Sequence, residues 1–214
     1  MTRVALVHAL AYSVAPINAE LARVWPECER MNVLDDSLSA DLMRSERGLD
    51  VAMHQRFETL AAYAESTGAQ AILFTCSAFG PCIEAVAARR PHMPVLKPNE
   101  AMVAEAVAAG KRVGLIASFA PTLMSMPAEF PPGTALVTRY AEGAMAALDR
   151  GDAAEHDARV VEAARWLQQR GCDLIALTQF SMARAEAAVR QAIDLPVLTT
   201  PGSAVRALRQ RLGA

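Results

Sequence analysis

The sequence predicts an α/β protein made of two pseudo-symmetric Rossmann-like, flavodoxin-like lobes with parallel sheets. Three observations carry that prediction. Short apolar runs alternate with longer alanine-rich, helix-periodic segments along all 214 residues, as when strands cross over through helices into a parallel sheet. The clearest runs are continuously apolar, which suits strands covered on both faces. The pattern also repeats in order. RVALVHA (Arg3 to Ala9) matches RVGLIAS (Arg112 to Ser118), GAQAILFTCSAFG (Gly68 to Gly80) matches GCDLIALTQFSMA (Gly171 to Ala183), and MPVLKP (Met93 to Pro98) returns loosely as LPVLTTP (Leu195 to Pro201).

In chain order, the first strand is expected over Val4–His8 and a weaker one over Met31–Leu34. Val51–Ser66 reads as a helix, because alanine and leucine dominate it and glycine or proline stand only at its ends. A strand over Ala71–Thr75 follows, then a helix with Pro81 in its first turn, where the missing N–H costs nothing. The short strand Val95–Leu96 is bracketed by Pro94 and Pro98, and a helix over Asn99–Ala109 opens the next lobe. Its strands are expected at Val113–Ala117, Ala135–Thr138, Leu174–Thr178 and Val197–Leu198. Its helices are expected at Ala153–Arg170 and Ala183–Ala192, with Pro121 in another first turn. The final helix, Gly202–Leu212, returns to the first lobe. The lobes are therefore expected at 1–97 plus 200–214 and at 98–199. No low-complexity linker separates them, so an active site is expected in a cleft between them.

Composition narrows the function. Lys plus Arg number 21 and Asp plus Glu 23, a net charge of −2, and no block of like charge suggests a surface for nucleic acid. No apolar stretch reaches the roughly 18 residues of a membrane span, and the opening MTRVALVHAL lacks the length and cleavage site of a signal peptide. A soluble, cytoplasmic protein is expected. Cys28, Cys76, Cys82 and Cys172 show no CxxC spacing, which argues against a disulfide framework or a zinc knuckle. His54, His92 and His156 have no companion at ligand spacing, so no metal site is expected. The phosphate-cradling G-x-G-x-x-G and G-x-x-x-x-G-K-[ST] motifs and the G-x-S-x-G nucleophile elbow are missing.

Ligands of open parallel sheets bind beyond the carboxyl ends of the strands. The residues to inspect are His8-Ala9 with Ser13 in the following loop, Thr75-Cys76-Ser77-Ala78, Ser118 to Thr122, and Thr178-Gln179-Phe180-Ser181. Backbone N–H groups at these strand-to-helix turns favour a bound carboxylate. Cys76 combines a strand end with a helix start, where a thiolate is stabilised and can serve as base or nucleophile; the bland alternative is a small core residue. Cys82 falls inside the next helix and reads as core, Cys172 stands at the wrong end of its strand, and Cys28 carries no motif. For Ser13, Ser77, Ser118, Thr122 and Ser181 two readings stand side by side: helix capping and carboxylate binding. His8 is either a second proton carrier facing Cys76 or a histidine hydrogen-bonded in place. Met124 and Met126 are either a lid or packing residues.

The paired elements FTCSAFG and GCDLIALTQFSM resemble the aspartate/glutamate racemase superfamily, which includes hydantoin racemases, maleate isomerases and arylmalonate decarboxylases. The resemblance spans nearly the whole chain. It implies a cofactor-independent racemase or isomerase, a homodimer, working at the carbon next to a carboxylate. Two-cysteine members use their thiols as acid and base on opposite faces of that carbon. Cys76 matches the first position. The second falls on Gln179, which neither takes nor gives a proton at ordinary pH and is left as a substrate hydrogen-bond donor or a structural amide. A one-face reaction, decarboxylation followed by protonation, is compatible with that departure. Ser77, Ala78, Ser118, Thr122, Ser181 and Ser13 correspond to turns that grip carboxylate oxygens. A binder of small carboxylates without catalysis is the alternative of a different class.

Overall fold

A computed structural model of the chain describes residues 2–214. Internal contacts divide it into two compact units, one running up to Pro98 and including Ala204–Ala214, the other Asn99–Ser203. The first contains β1 (Arg3–His8), α1 (Val14–Val24), β2 (Glu29–Leu34), α2 (Ser37–Arg44), α3 (Val51–Ser66), β3 (Ala71–Phe74), α4 (Gly80–Ala88) and β4 (Val95–Leu96). Its four strands are parallel in the order β2-β1-β3-β4. The second contains α5 (Glu100–Ala108), β5 (Val113–Ala117), α6 (Ala120–Ser125), β6 (Leu136–Tyr140), α7 (Ala144–Asp149), α8 (Ala153–Gln169), β7 (Leu174–Leu177), α9 (Glu186–Ala192) and β8 (Val197–Thr199). Its parallel order, β6-β5-β7-β8, is the same path repeated. Helix α10 (Thr200–Leu212) then carries the chain back into the first unit.

Position in the sheet explains which strands the sequence announces. β3, β5 and β7 are buried at every residue and β1 at all but its first, so their runs are unbroken. β5 shows why: Ile116 packs into one core with Val160 and Leu167, while Leu115 packs into another with Met102 and Phe130. The edge strand β2 instead alternates half-buried and exposed residues, and a period of two over six residues is a fainter signal.

The duplication extends to single hydrogen bonds. Gln70 N–H donates to Arg3 O as Asp173 N–H does to Arg112 O, and Ile72 N–H donates to Pro94 O as Ile175 N–H does to Pro196 O. Thr75 and Thr178 each donate their backbone N–H to a carbonyl of the neighbouring strand, Val7 O and Ile116 O respectively, and the Thr178 hydroxyl donates to Ile116 O as well.

The structure differs from expectation at several elements. Helices α1, α2 and α7 were not among those expected. The segment expected as one helix over Ala183–Ala192 begins as a 3₁₀ stretch, Phe180–Ala185, before α9. The last helix starts at Thr200, with Thr199 Oγ1 accepting from Gly202 N–H at 3.2 Å. Met126 is fully buried whereas Met124 is 83% exposed, so the two do not share one role. Among the described residues no helix is long and apolar enough to cross a membrane.

Candidate functional site

In the first unit the turn after β3 is built by its flanks. Thr75 ties the strand end to β1, and Phe79, fully buried, packs against Phe57 in a tilted arrangement at 4.9 Å between centroids while Phe57 stacks on Phe74 at 5.3 Å. Between these anchors the chain passes through Cys76 in extended conformation and makes a single 3₁₀ turn, Ser77–Phe79, before α4. Cys76 is half-buried at the rim of the core, whereas Cys28, Cys82 and Cys172 are fully buried. Burial pushes the Cys76 thiol above its ordinary range; hydrogen bonds from Ala78 N–H and the Ser39 hydroxyl pull the other way. The resting sulfur is therefore a protonated thiol, not the thiolate that a strand-end position by itself suggests, because desolvation of a charge outweighs two donors here.

Ser39 belongs to α2, and its hydroxyl also donates to Ala9 O at 3.1 Å. No sequence signal marked it: α2 lies outside the repeated segments, and Ser39 has no motif of its own.

His8 ends β1 with no solvent exposure and uses both ring nitrogens. Nε2 lies 3.0 Å from Asn32 Oδ1, and Nδ1 lies 2.9 Å from both Ser13 Oγ and Thr75 Oγ1. An amide oxygen only accepts, so Nε2 carries the proton and Nδ1 accepts from the Thr75 hydroxyl. Asn32 and Asn18 exchange reciprocal amide bonds, and Ser13 Oγ donates to Leu10 O at 2.8 Å. Burial holds His8 below the ordinary histidine value, against the pull of the Asn32 bond. The ring is thus a neutral clamp on the ends of β1, β2 and β3, one residue removed from Cys76. Ser13 spends its hydroxyl in that clamp and does not cap α1.

In the second unit Gln179 occupies the place of Cys76. Its Oε1 accepts from Ser118 N–H at 2.6 Å and Ser118 Oγ at 3.1 Å. A backbone N–H can only donate, so the amide oxygen must face Ser118 and the NH₂ group points away. Ser118 is 1% exposed and both its donors are used by Gln179. Thr122, in α6 after β5, and Ser181, in the 3₁₀ stretch after β7, are also buried. Neither turn is closed by a side-chain cap, in contrast to Asp50 and Asp152, which cap α3 and α8. Each unit therefore collects its share of the expected residues at its own strand ends: His8, Ser13, Cys76, Ser77 and Ala78 in the first, Ser118, Thr122, Gln179 and Ser181 in the second.

The family model for Asp/Glu/hydantoin racemases matches residues 12–208, nearly the whole chain. The chain belongs to that family. Similar folds include an aspartate racemase homologue from Pyrococcus horikoshii OT3 (TM-score 0.75, 13% identity, 100% of each chain covered). Allantoin racemase from Klebsiella pneumoniae gives a TM-score of 0.69 at 17% identity over 100% of this chain and 88% of the other. Unliganded arylmalonate decarboxylase gives 0.67 at 13% identity over 100% and 94%. Comparison with curated protein sequences gives no match. The Asp/Glu racemase fold is thus shared by racemases and a decarboxylase, and the residues at the strand ends must separate those chemistries.

Proposed function

We propose that this member of the Asp/Glu racemase family is a cofactor-independent enzyme that transfers a proton at the carbon α to a carboxylate through the single thiol of Cys76. The observation that carries the reading is the asymmetry of the duplicated turns: a half-buried cysteine after β3, an amide after β7. Only the thiol exchanges protons; the amide NH₂ of Gln179 is a donor for a carboxylate oxygen or for the enediolate that forms when the α-carbon gains an electron pair.

Of the two reactions, decarboxylation is favoured by the amide at position 179, which leaves one proton-exchanging group at the two equivalent turns. The C–C bond to the departing carboxylate breaks, CO₂ leaves, the electron pair enters the enediolate, and the S–H proton passes to carbon; solvent then reprotonates the sulfur. Racemisation or isomerisation, the family's general chemistry, starts instead from the thiolate taking the C–H proton.

The pH profile distinguishes them. Turnover that consumes a thiol is flat through neutrality and falls as pH rises past the raised thiol value; turnover that starts from a thiolate climbs over that range. The proposal is tested with a panel of α-substituted malonates and chiral α-substituted monocarboxylates, scored for CO₂ release and loss of optical activity. Cys76→Ala should lower turnover by roughly 100-fold or more. Unchanged turnover in that variant would remove the thiol from the mechanism, and no turnover of any panel member beside stoichiometric carboxylate binding would favour a binding protein.

A further inference from the structure

We infer that Leu10, in the loop after β1, is a specificity-determining residue that selects a substrate whose α-carbon carries an uncharged, apolar substituent, aryl or branched alkyl, over the charged side chain of an acidic amino acid. The inference rests on the proposed role of Cys76 and names the substrate class of that site. The loop 9–13 is fastened beside the turn that carries the thiol. Ser39 Oγ donates to Ala9 O at 3.1 Å. Ser13 N–H and Oγ both donate to Leu10 O, at 3.2 and 2.8 Å, and Ser13 Oγ lies 2.8 Å from Oγ1 of Thr75, the residue before Cys76. The backbone of the loop is thus fixed while two of its large side chains meet water: Leu10 is 43% exposed and Tyr12 45%.

A single exposed apolar residue is ordinary; the same exposure at the matching place of a repeat is not. Setting residues 3–9 against 112–118 places Leu10 opposite Phe119, which is 41% exposed. Phe119 follows Ser118, the residue that gives both its donors to Gln179. Strand pairing extends the correspondence, since His8 is level with Leu34 and Ala117 with Tyr140, and Leu34 and Tyr140 are exposed as well. At the carboxyl end of each sheet, large apolar side chains therefore stand in water at equivalent positions. That exposure costs free energy in proportion to area, and an apolar ligand group that covers it recovers the cost. Charge points the same way. Neither residues 9–13 nor residues 75–79 include Asp, Glu, Lys or Arg, and Asp35 and Asp41 are both paired with Arg56. A second carboxylate on the substrate would lose hydration in these turns without meeting a counter-charge.

The test is equilibrium binding by isothermal titration calorimetry of phenylacetate and succinate, two acetates that differ in the group on the α-carbon, to the wild type, Leu10→Ala, Leu10→Met and Leu10→Arg. The wild type should bind phenylacetate about tenfold or more tightly than succinate. Leu10→Ala should lower the phenylacetate affinity about fivefold, and Leu10→Met, which keeps the apolar bulk, should restore it. Leu10→Arg, which supplies a counter-charge, should narrow or reverse the preference. A wild type that does not distinguish the two ligands, or binds neither, overturns the inference, as does a phenylacetate affinity unchanged in Leu10→Ala. So does sedimentation of a self-associated wild type that Leu10→Ala dissociates with the ligand preference intact, because the loop would then cover a second copy of the chain. Binding is read without turnover. A wild type that prefers phenylacetate yet transfers no proton to or from any panel substrate would count against the catalytic role of Cys76 and leave the selectivity of Leu10 standing.

Discussion

Two residues with opposite titration behaviour sit side by side at the end of the first sheet. Cys76 is raised by burial, so its charge is costly, and His8 is lowered by burial, so its charge is costly too. The consequence for stability is signed. With its folded value below the ordinary 6.5, the His8 ring stays neutral in the fold over a range where the unfolded chain binds a proton. The contribution of the clamp is complete above 6.5 and is lost as pH falls toward the folded value. Urea midpoints should therefore decline on acidification below that point, and His8→Gln should remove part of the decline. Gln179→Ala is expected to raise KM for a carboxylate substrate about tenfold, the loss of one charge-assisted donor, with a smaller change in kcat; steady-state kinetics on the panel substrates reads this split. Cys76 and Gln179 were legible in the sequence because they stand at matching places in a repeat. The clamp on His8 was not, since Asn32 and Thr75 are brought to the ring by the pairing of β2 and β3 with β1 and by nothing local.

At the level of elements, the turn that carries Cys76 is held from below by aromatic packing. Phe79 closes the 3₁₀ turn and fills the space against Phe57 and Phe74. Phe79→Ala should cost about 3–5 kcal/mol of stability by cavity formation, measured by denaturant unfolding, and should also speed alkylation of Cys82 in the same core. The central strands β1, β3, β5 and β7 were readable to within a residue because burial on both faces leaves no polar position in the run. The errors fell where tertiary contacts override local pattern. Thr75 and Thr178 look like strand residues, but Thr75 spends its hydroxyl on the His8 ring and Thr178 on Ile116 O, and the chain leaves the sheet there. The stretch Phe180–Ala185 looks like the start of α9, yet Phe180, Ser181, Met182 and Ala185 are all buried, and a 3₁₀ stretch of tighter pitch carries them.

For the whole molecule, the duplicated order β2-β1-β3-β4 and β6-β5-β7-β8 shows one folding unit used twice. Three sequence matches sufficed to read the duplication, because matched strands in matched succession leave few topologies open. Family membership rests on the match to the Asp/Glu/hydantoin racemase model over residues 12–208. The most direct measurement is solvent deuterium at the α-carbon of product formed in D₂O by wild type and Cys76→Ala. The account predicts one deuteron placed on that carbon by the wild type and none above the uncatalysed background in the variant. Equal incorporation by both proteins would contradict it.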